Sequence, residues 1–388
     1  MKRVQDHTPF HVDPVLMVVT LSLLVLGFIM VSSASLHLGL KTTGSIIHYP
    51  LRQMVHIGLG LFFAALAIKV PMQRWEQINV WLFVASLGLL IIVLIPGLGV
   101  KVNGSIRWLS LGGLRIQVSE VNKACAVIYM AGYITRHYEH IQRSAFGVLK
   151  PLMLFMVASV LLLMEPDFGS AVVILIIAMG TLFLAGARMG QFAILFSIVA
   201  GLAVLMVSLS PYRLRRVTSF MDPWADPLNT GFQLVQALIS FGRGEWLGVG
   251  LGGGVQKLFY LPEAHTDFLF SVIAEELGLL GVVSVIGLFA LLIWRAFKIA
   301  DLAEMAGLKF AAYLAYGMGI WFGFQTFVNI GVNMGVLPTK GLTLPLMSYG
   351  GGSMIIMCVA TALLFRVYNE ATEKLANIPK GKRKWHSE

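Results

Sequence analysis

Long apolar stretches separated by short polar segments make up most of this chain. A window of about 19 residues, which matches the apolar thickness of a bilayer, finds the candidate membrane spans. They are residues 14–34, 53–70, 79–97, 118–135, 148–164, 169–187, 190–209, 266–297, 307–332 and 344–368. The pattern therefore predicts an all-α, polytopic membrane protein with ten transmembrane helices, in a single domain over residues 1–388.

The positions of lysine and arginine predict the orientation of these spans. Excess positive charge in short loops marks the cytoplasmic side of a membrane. Most of the 29 basic residues lie near the N-terminus, in alternate loops and in a tail of about residues 369–388. Because ten spans return the chain to its starting side, both termini are expected in the cytoplasm. The segment of about residues 210–265 is then a large extracytoplasmic loop between helices seven and eight.

The composition supports a membrane protein and narrows its partners. The chain is 57% hydrophobic and 12% charged, whereas soluble domains carry about 25% charged residues. A net charge of +10 could indicate nucleic-acid binding, but the basic residues are spread between apolar spans, so the membrane is the expected partner and nucleic acid is not. Cys125 and Cys358 fall inside spans and are expected to be packing residues rather than metal ligands or a disulfide.

Residues 261–267, Leu-Pro-Glu-Ala-His-Thr-Asp, run straight into the eighth span and place Asp267 at its mouth. A carboxylate at this position is costly to keep, so Asp267 is a functional candidate. Glu275 lies roughly 12 Å deeper at about 1.5 Å per residue, beyond the separation of about 5–9.5 Å in two-carboxylate glycosidase sites. A catalytic Asp267 is therefore expected to act as a single general base, and a plain helix cap is the alternative.

Several basic residues on the outer side are candidates for binding an anionic substrate, because arginine forks bind phosphate oxygens bidentately. The candidates in the large loop are Arg213, Arg216 and Arg243. Pairing with acidic residues of the same loop is the alternative for each of them. Arg107 follows an Asn-Gly-Ser-Ile run in an earlier outer segment. Lys123 lies three residues after Glu120 in the fourth span, so the sequence leaves open substrate binding or an intrahelical ion pair.

A second outer segment, residues 337–353, is rich in glycine and proline, which disfavour regular helix. Non-helical backbone at membrane depth is tolerated where it is buried in protein or lines a wet cavity. Lys340 is the one cation of this segment, and its natural targets are an anionic substrate or Asp267. Ser348 in the same segment and His265 beside Asp267 complete the predicted substrate-binding set. The sequence shows no Walker loop, zinc-ligand pattern or nucleophile elbow.

At these motifs the chain resembles the SEDS family (shape, elongation, division and sporulation proteins) over nearly its whole length. The resemblance rests on six segments in order: NGSIRW at 103–108, EPDFG at 165–169, PYRLRRV at 211–217, FGRGEWLGVGLG at 241–252, LPEAHTDF at 261–268 and LPTKGLTLPLMSYGGGS at 337–353. Within the family, Thr-Lys-Gly-Leu at 339–342 is similar to the division-type branch.

The resemblance implies a peptidoglycan glycosyltransferase of the bacterial inner membrane. Such an enzyme would polymerise lipid II at the division septum and release undecaprenyl diphosphate. The essential aspartate of the family corresponds to Asp267, and its loop lysine corresponds to Lys340. The implied partners are lipid II, a class B penicillin-binding transpeptidase and other division proteins. Arginines, Lys340 or a divalent cation, Mg²⁺ or Mn²⁺, could offset the charge of the departing pyrophosphate. The sequence shows no clear cluster of acidic residues that would bind a metal ion.

Two other classes of function are alternatives. A lipid II flippase would use the same basic cavity to pass a charged headgroup, and a scaffold would recruit division enzymes through its helices. A flippase needs sites that open to both faces of the membrane. The polar candidates lie mainly on the outer side, which favours an enzyme acting there.

Overall fold

Long helices account for most of the structure. The computed structural model describes residues 10–102, 105–111, 114–339 and 341–377. Within these residues the twelve α-helices are α1 Pro14–Thr43, α2 His48–Lys69, α3 Met72–Leu94, α4 Val118–Arg143, α5 Ala145–Met164, α6 Phe168–Leu184, α7 Met189–Ser208, α8 Pro211–Met221, α9 Phe232–Gly244, α10 Leu269–Met305, α11 Lys309–Asn333 and α12 Gly351–Ala376. Each of the ten predicted spans overlaps one long helix, and the predicted all-α class is confirmed.

Six helices of the described chain, α1, α2, α3, α5, α10 and α12, are long and apolar enough to cross a bilayer. The central helices α4 and α11 instead carry buried polar side chains and pack against each other and against α6. The chain is a multi-pass membrane protein, and the number of ten crossings stays a prediction.

Local sequence sets the ends of several helices. Asp13 begins α1 by accepting a hydrogen bond from the Leu16 N–H at 2.8 Å, and Pro14 follows it in the first helical position. Asp167 begins α6 in the same way, accepting from the Ser170 N–H at 3.1 Å. The structure therefore gives Asp167 a capping role.

A small antiparallel sheet between α3 and α4 was not predicted. Its strands are β1 Gly99–Val102, β2 Ser105–Leu111 and β3 Leu114–Gln117, in the order β1-β2-β3. The N-terminus of α12 lies against β3, where a Cβ atom on Gly352 would be 2.8 Å from the Gln117 nitrogen. This contact places the sheet at the same end of the bundle as the N-termini of α4 and α12.

The predicted extracytoplasmic loop contains regular secondary structure. It contains α8, a short 3-10 helix at Pro223–Ala225, and α9. After α9 the chain runs beside α10, where the Leu279 N–H donates to the Glu245 carbonyl at 2.9 Å. At this point Gly278 interrupts the helical dihedrals of α10 with φ 64° and ψ −160°. A Cβ atom there would clash with the Gly248 nitrogen, so the close approach of the two segments requires glycine.

Candidate functional site

The turn that carries Asp267 is fixed by its own backbone. The N–H groups of Thr266 and Phe268 both donate to the Glu263 carbonyl, at 3.1 and 3.2 Å. Phe268 is buried and occupies the N-cap position of α10, which begins at Leu269. Asp267 therefore lies one residue before the cap position, and its role as a general base stays a prediction.

Two side-chain amides of α11 hold the main chain of Asp267. The Nδ2 atoms of Asn329 and Asn333 each donate to the Asp267 carbonyl at 2.9 Å. Both asparagines are almost completely buried. The side chain of Asp267 itself is half-buried, as expected for a group that must reach a substrate.

The glycine-rich segment lies directly beside this turn. The Leu342 carbonyl accepts from Asn329 Nδ2 at 2.6 Å, and the Tyr349 N–H donates to the His265 carbonyl at 2.9 Å. A Cβ atom on Gly341 would lie 3.1 Å from Asp267 Oδ2, so the carboxylate is near the backbone of this segment. The fold thus brings together two of the motifs singled out in the sequence. Lys340 lies outside the described residues, and its role stays a prediction.

His265 belongs to an aromatic group at the side of the turn. Its ring centroid is 5.3 Å from those of both Tyr49 and Tyr349. Burial lowers the pKa of the His265 imidazole, and the negative charge of Glu263 offsets this in part. The ring is therefore neutral at neutral pH. Burial also raises the pKa of the Tyr349 hydroxyl, and the positive charge of Arg52 opposes this shift. Sequence reasoning did not identify Arg52 as a residue near the site.

Ser348 fixes the shape of the glycine-rich segment. Its hydroxyl accepts from the Leu344 N–H at 2.9 Å, and its own N–H donates to the Leu344 carbonyl at 3.1 Å. Leu346, between them, has a positive φ of 62°, which a residue other than glycine rarely adopts. The serine hydroxyl is thus bound to backbone, and its contact with substrate stays a prediction.

Lys123 forms the intrahelical pair that the sequence had left open. Its Nζ atom lies 2.7 Å from Glu120 Oε1 and also donates to Gln325 Oε1 at 2.9 Å. Both charged side chains are buried. The hydrogen bond from Lys123 to Gln325 links α4 to α11, and Gln325 in turn binds the Thr343 carbonyl of the glycine-rich segment. Substrate binding by Lys123 stays a prediction.

Arg107 connects the sheet to the Glu-Pro-Asp-Phe-Gly turn before α6. Its guanidinium donates to the carbonyls of Glu165 and Pro166, at 3.1 and 2.5 Å. The Glu165 side chain is fully buried, and burial together with the Asp167 charge raises its pKa to about 8, although Arg107 opposes the shift. Gly169 of the same turn faces the Leu342 side chain, so this turn supports the glycine-rich segment.

The loop arginines divide into two groups. Arg243 at the end of α9 is half-exposed, and its Nε atom lies 3.7 Å from the buried Glu275 of α10. Its partner is therefore an acid of the eighth span rather than an acid of the loop. Arg213 and Arg216 lie on α8, their side chains fall outside the described part of the chain, and substrate binding by either stays a prediction.

A buried charge network below the loop was missed by sequence reasoning. Lys257 Nζ lies 2.6 Å from Glu276 Oε1, and both side chains are almost inaccessible to solvent. Glu276 also accepts from the Ser33 hydroxyl at 2.8 Å and from the Gly252 N–H at 3.0 Å. The adjacent pair of glutamates inside an apolar span was the available signal, since such acids persist only with partners.

The described residues contain no group of three or more His, Cys, Asp or Glu side chains that could hold a metal ion. The predicted Mg²⁺ or Mn²⁺ stays a prediction.

These features define a multi-pass helical membrane protein with a polar site where α10 begins and α11 ends. The chain belongs to the FtsW/RodA/SpoVE family, whose model, described as "Cell cycle protein", matches residues 14–373. This confirms the resemblance inferred from the motifs.

Several relatives carry the name "Probable peptidoglycan glycosyltransferase FtsW". The protein of Methylomonas methanica is 61% identical over 373 residues, which cover 96% of this chain and 96% of the relative. The protein of Methylococcus capsulatus is 58% identical over 373 residues, covering 96% and 94%.

Two solved structures share the fold. One was described under "Structural coordination of polymerization and crosslinking by a peptidoglycan synthase complex"; it has a TM-score of 0.75 at 33% identity and covers 94% of this chain and 99% of the solved one. The other is the rod shape determining protein RodA of Thermus thermophilus, with a TM-score of 0.67 at 29% identity, covering 92% and 97%.

Proposed function

We propose that this chain is a peptidoglycan glycosyltransferase that polymerises lipid II into glycan strands for septal cell-wall synthesis during division. The observation that carries the proposal is the place of Asp267, a half-buried acid held by two asparagines beside an irregular segment. The names of relatives that match nearly the whole chain support the same activity.

The reaction needs one base and a stabilised leaving group. Asp267 takes the proton from a sugar hydroxyl of the acceptor, and the hydroxyl oxygen forms a bond to the anomeric carbon of the donor. The bond from that carbon to the pyrophosphate oxygen breaks, and undecaprenyl diphosphate leaves with the bonding electron pair. The position of Asp267 before the N-terminus of α10 favours its ionised form, because the helix dipole stabilises negative charge there.

Positive charge near the site would stabilise the leaving pyrophosphate. Arg52 and Arg115 both act on Tyr349, whose N–H is bound to the His265 carbonyl. Lys340, Arg243 and a divalent cation carried by the substrate are further candidates, and such charges stabilise a developing anion most strongly where water is excluded.

The expected cellular setting follows from the family. The protein acts in the inner membrane at the septum with both termini in the cytoplasm, and a class B penicillin-binding transpeptidase cross-links its product. The solved relative associated with a peptidoglycan synthase complex supports a partner of this kind.

Purified protein incubated with fluorescent lipid II in detergent, with and without the transpeptidase, tests the proposal. We expect polymer from the wild type and almost none from Asp267→Asn. This difference would show that the polymer is made by this chain and not by a contaminating enzyme. A flippase or a scaffold predicts no polymer from the wild type under either condition, and that result would overturn the proposed activity.

A further inference from the structure

Three amide side chains follow one face of α11 at every fourth position. Gln325, Asn329 and Asn333 are at most 2% exposed, and this spacing places them one above another along the helix. We call these three residues the amide row. Buried amides in an apolar helix are costly unless each finds a partner, so their partners indicate what the row is for.

Asn333 is inserted into the first turn of α10. In a regular helix a carbonyl accepts from the N–H four residues later. Here the Asp267 carbonyl accepts from Asn333 Nδ2 at 2.9 Å, while Asn333 Oδ1 accepts from the Ser271 N–H at 3.0 Å and from its hydroxyl at 2.7 Å. The amide occupies the place of the direct Asp267–Ser271 bond, and Asp267 stays outside the helix as a result.

Asn329 joins the Asp267 turn to the glycine-rich segment. One nitrogen, Nδ2, donates both to the Asp267 carbonyl at 2.9 Å and to the Leu342 carbonyl at 2.6 Å. Gln325 continues the row by donating to the Thr343 carbonyl at 3.0 Å and accepting from Lys123. The row therefore sets the distance between the acid and the segment that lies against it.

We propose that Asn329 and Asn333 are positioning residues that hold the Asp267 carboxylate in its reactive direction. This inference rests on the proposed function of Asp267 as the base. Two donors on one carbonyl fix the main-chain dihedrals of Asp267, and those dihedrals fix where its short side chain can point. A displacement of about 1 Å at a reacting group can cost on the order of 100-fold in rate.

The test measures kcat and KM for lipid II in Asn329→Ala and Asn333→Ala, per folded molecule. We expect kcat to fall about 10–100-fold in both variants. In Asn333→Ala, KM should change less than about threefold, because Asn333 binds Asp267, Ser271 and Asn329 rather than the glycine-rich segment. Asn333→Asp is expected to behave like Asn333→Ala, since its carboxylate can accept from Ser271 but cannot donate to Asp267. Association with the transpeptidase should be unchanged.

A matched control is Asn79→Ala. Asn79 is also a fully buried asparagine, but it lies on α3 and accepts from Arg136, at the end of the bundle remote from Asp267. It is expected to lower the melting temperature without lowering kcat per folded molecule. If an alanine variant does not fold, Asn329→Ser and Asn333→Ser leave a hydroxyl that partly satisfies the buried partners, and the same fall in kcat is expected.

Wild-type kcat in the folded variants, or a loss no larger than that of Asn79→Ala, would overturn the positioning role. Asp267→Asn measured in parallel separates the two hypotheses. If it is inactive while the asparagine variants are normal, only the positioning role fails; if it is active, the base assignment itself fails.

Discussion

Two carboxylates near the N-terminus of α10 lie in different environments. Glu276 is fully buried. Its oxygens form an ion pair with Lys257 and accept hydrogen bonds from the Ser33 hydroxyl and the Gly252 N–H. Asp267 is half-buried, and the amide row binds its main-chain carbonyl. Glu276 is held in a fully buried network, whereas Asp267 is half-buried, with its backbone fixed and its carboxylate near Gly341.

This comparison distinguishes an acid with a structural role from an acid with a proposed chemical role at the same helix end. An ionisable residue in a span is a functional candidate by default, and both acids meet that criterion in the sequence. A buried acid whose oxygens are occupied by neighbouring groups holds segments together, because removing either partner leaves an unpaired charge. An acid presented by a fixed backbone is suited to proton transfer. The following experiments test this division.

Among variants that keep the carboxylate, the largest effect is expected from Asp267→Glu. The Asp267 carboxylate lies near Gly341, and one extra methylene would move the carboxylate away from this position. We expect kcat to fall on the order of 100-fold with little change in melting temperature. Gly341→Ala, which adds a methyl group from the opposite side, should lower kcat in the same direction. Full activity in both variants would show that the position of the carboxylate is not restricted as described.

The next effect is on stability. Lys257→Met leaves Glu276 buried without its cation, which should destabilise the fold by about 3–5 kcal/mol. Replacing both partners, Lys257→Met with Glu276→Gln, should recover most of the loss, since the new glutamine side chain would still accept from Ser33 and Gly252. Thermal unfolding in detergent measures both. An unchanged melting temperature in the single variant would contradict a structural role for the pair.

A smaller effect is expected at Arg243. Arg243 is half-exposed and lies 3.7 Å from Glu275, which keeps hydrogen bonds from the Val255 and Gln256 N–H groups, so Arg243→Ala should cost only about 0–1 kcal/mol of stability. If Arg243 binds the pyrophosphate, KM for lipid II should rise about 3–10-fold. Arg143→Ala is the matched control, because Arg143 forms an exposed pair with Glu139 at 3.8 Å, far from the site. Equal KM values in the two variants would remove Arg243 from substrate binding.

The smallest effect concerns Glu165 and pH. Its pKa is raised to about 8 in the folded protein, above the ordinary value of 4.5. The folded state therefore binds the proton more tightly, and this contribution to stability is complete below about pH 4.5 and is lost as pH rises through about 8. Glu165→Gln removes this dependence. We expect it to melt about 3–5 °C higher than the wild type at pH 9 and not higher at pH 5. If the melting temperatures of the two proteins change with pH in the same way between pH 5 and pH 9, this would contradict the burial of a neutral acid.

The apolar pattern predicted the positions of the long helices because span length and hydropathy are local properties. The sheet was missed although its signals were local too: Asn103-Gly104 and Gly112-Gly113 are dipeptides typical of hairpin turns, and they flank alternating apolar residues. The interruption of α10 at Gly278 could not be predicted, because it depends on residues 246–248 passing against the helix.

The candidate site was predicted in part. The motifs identified Asp267 and the glycine-rich segment, and the structure places them side by side. The amide row was not recognised, although Gln325, Asn329 and Asn333 repeat every four residues in an apolar span. Their partners are main-chain carbonyls in two other segments, and a sequence pattern does not show such contacts.

The central claim is tested most directly by comparing two isosteric neutralisations, Asp267→Asn and Glu276→Gln, in one lipid II polymerisation assay corrected for the folded fraction. We predict that Asp267→Asn melts like the wild type and loses about 10²–10⁴-fold in kcat, whereas Glu276→Gln melts at a lower temperature and keeps near-normal kcat per folded molecule. Near-normal polymerisation by Asp267→Asn, or a comparable loss of kcat in folded Glu276→Gln, would contradict the division between the catalytic and the structural acid.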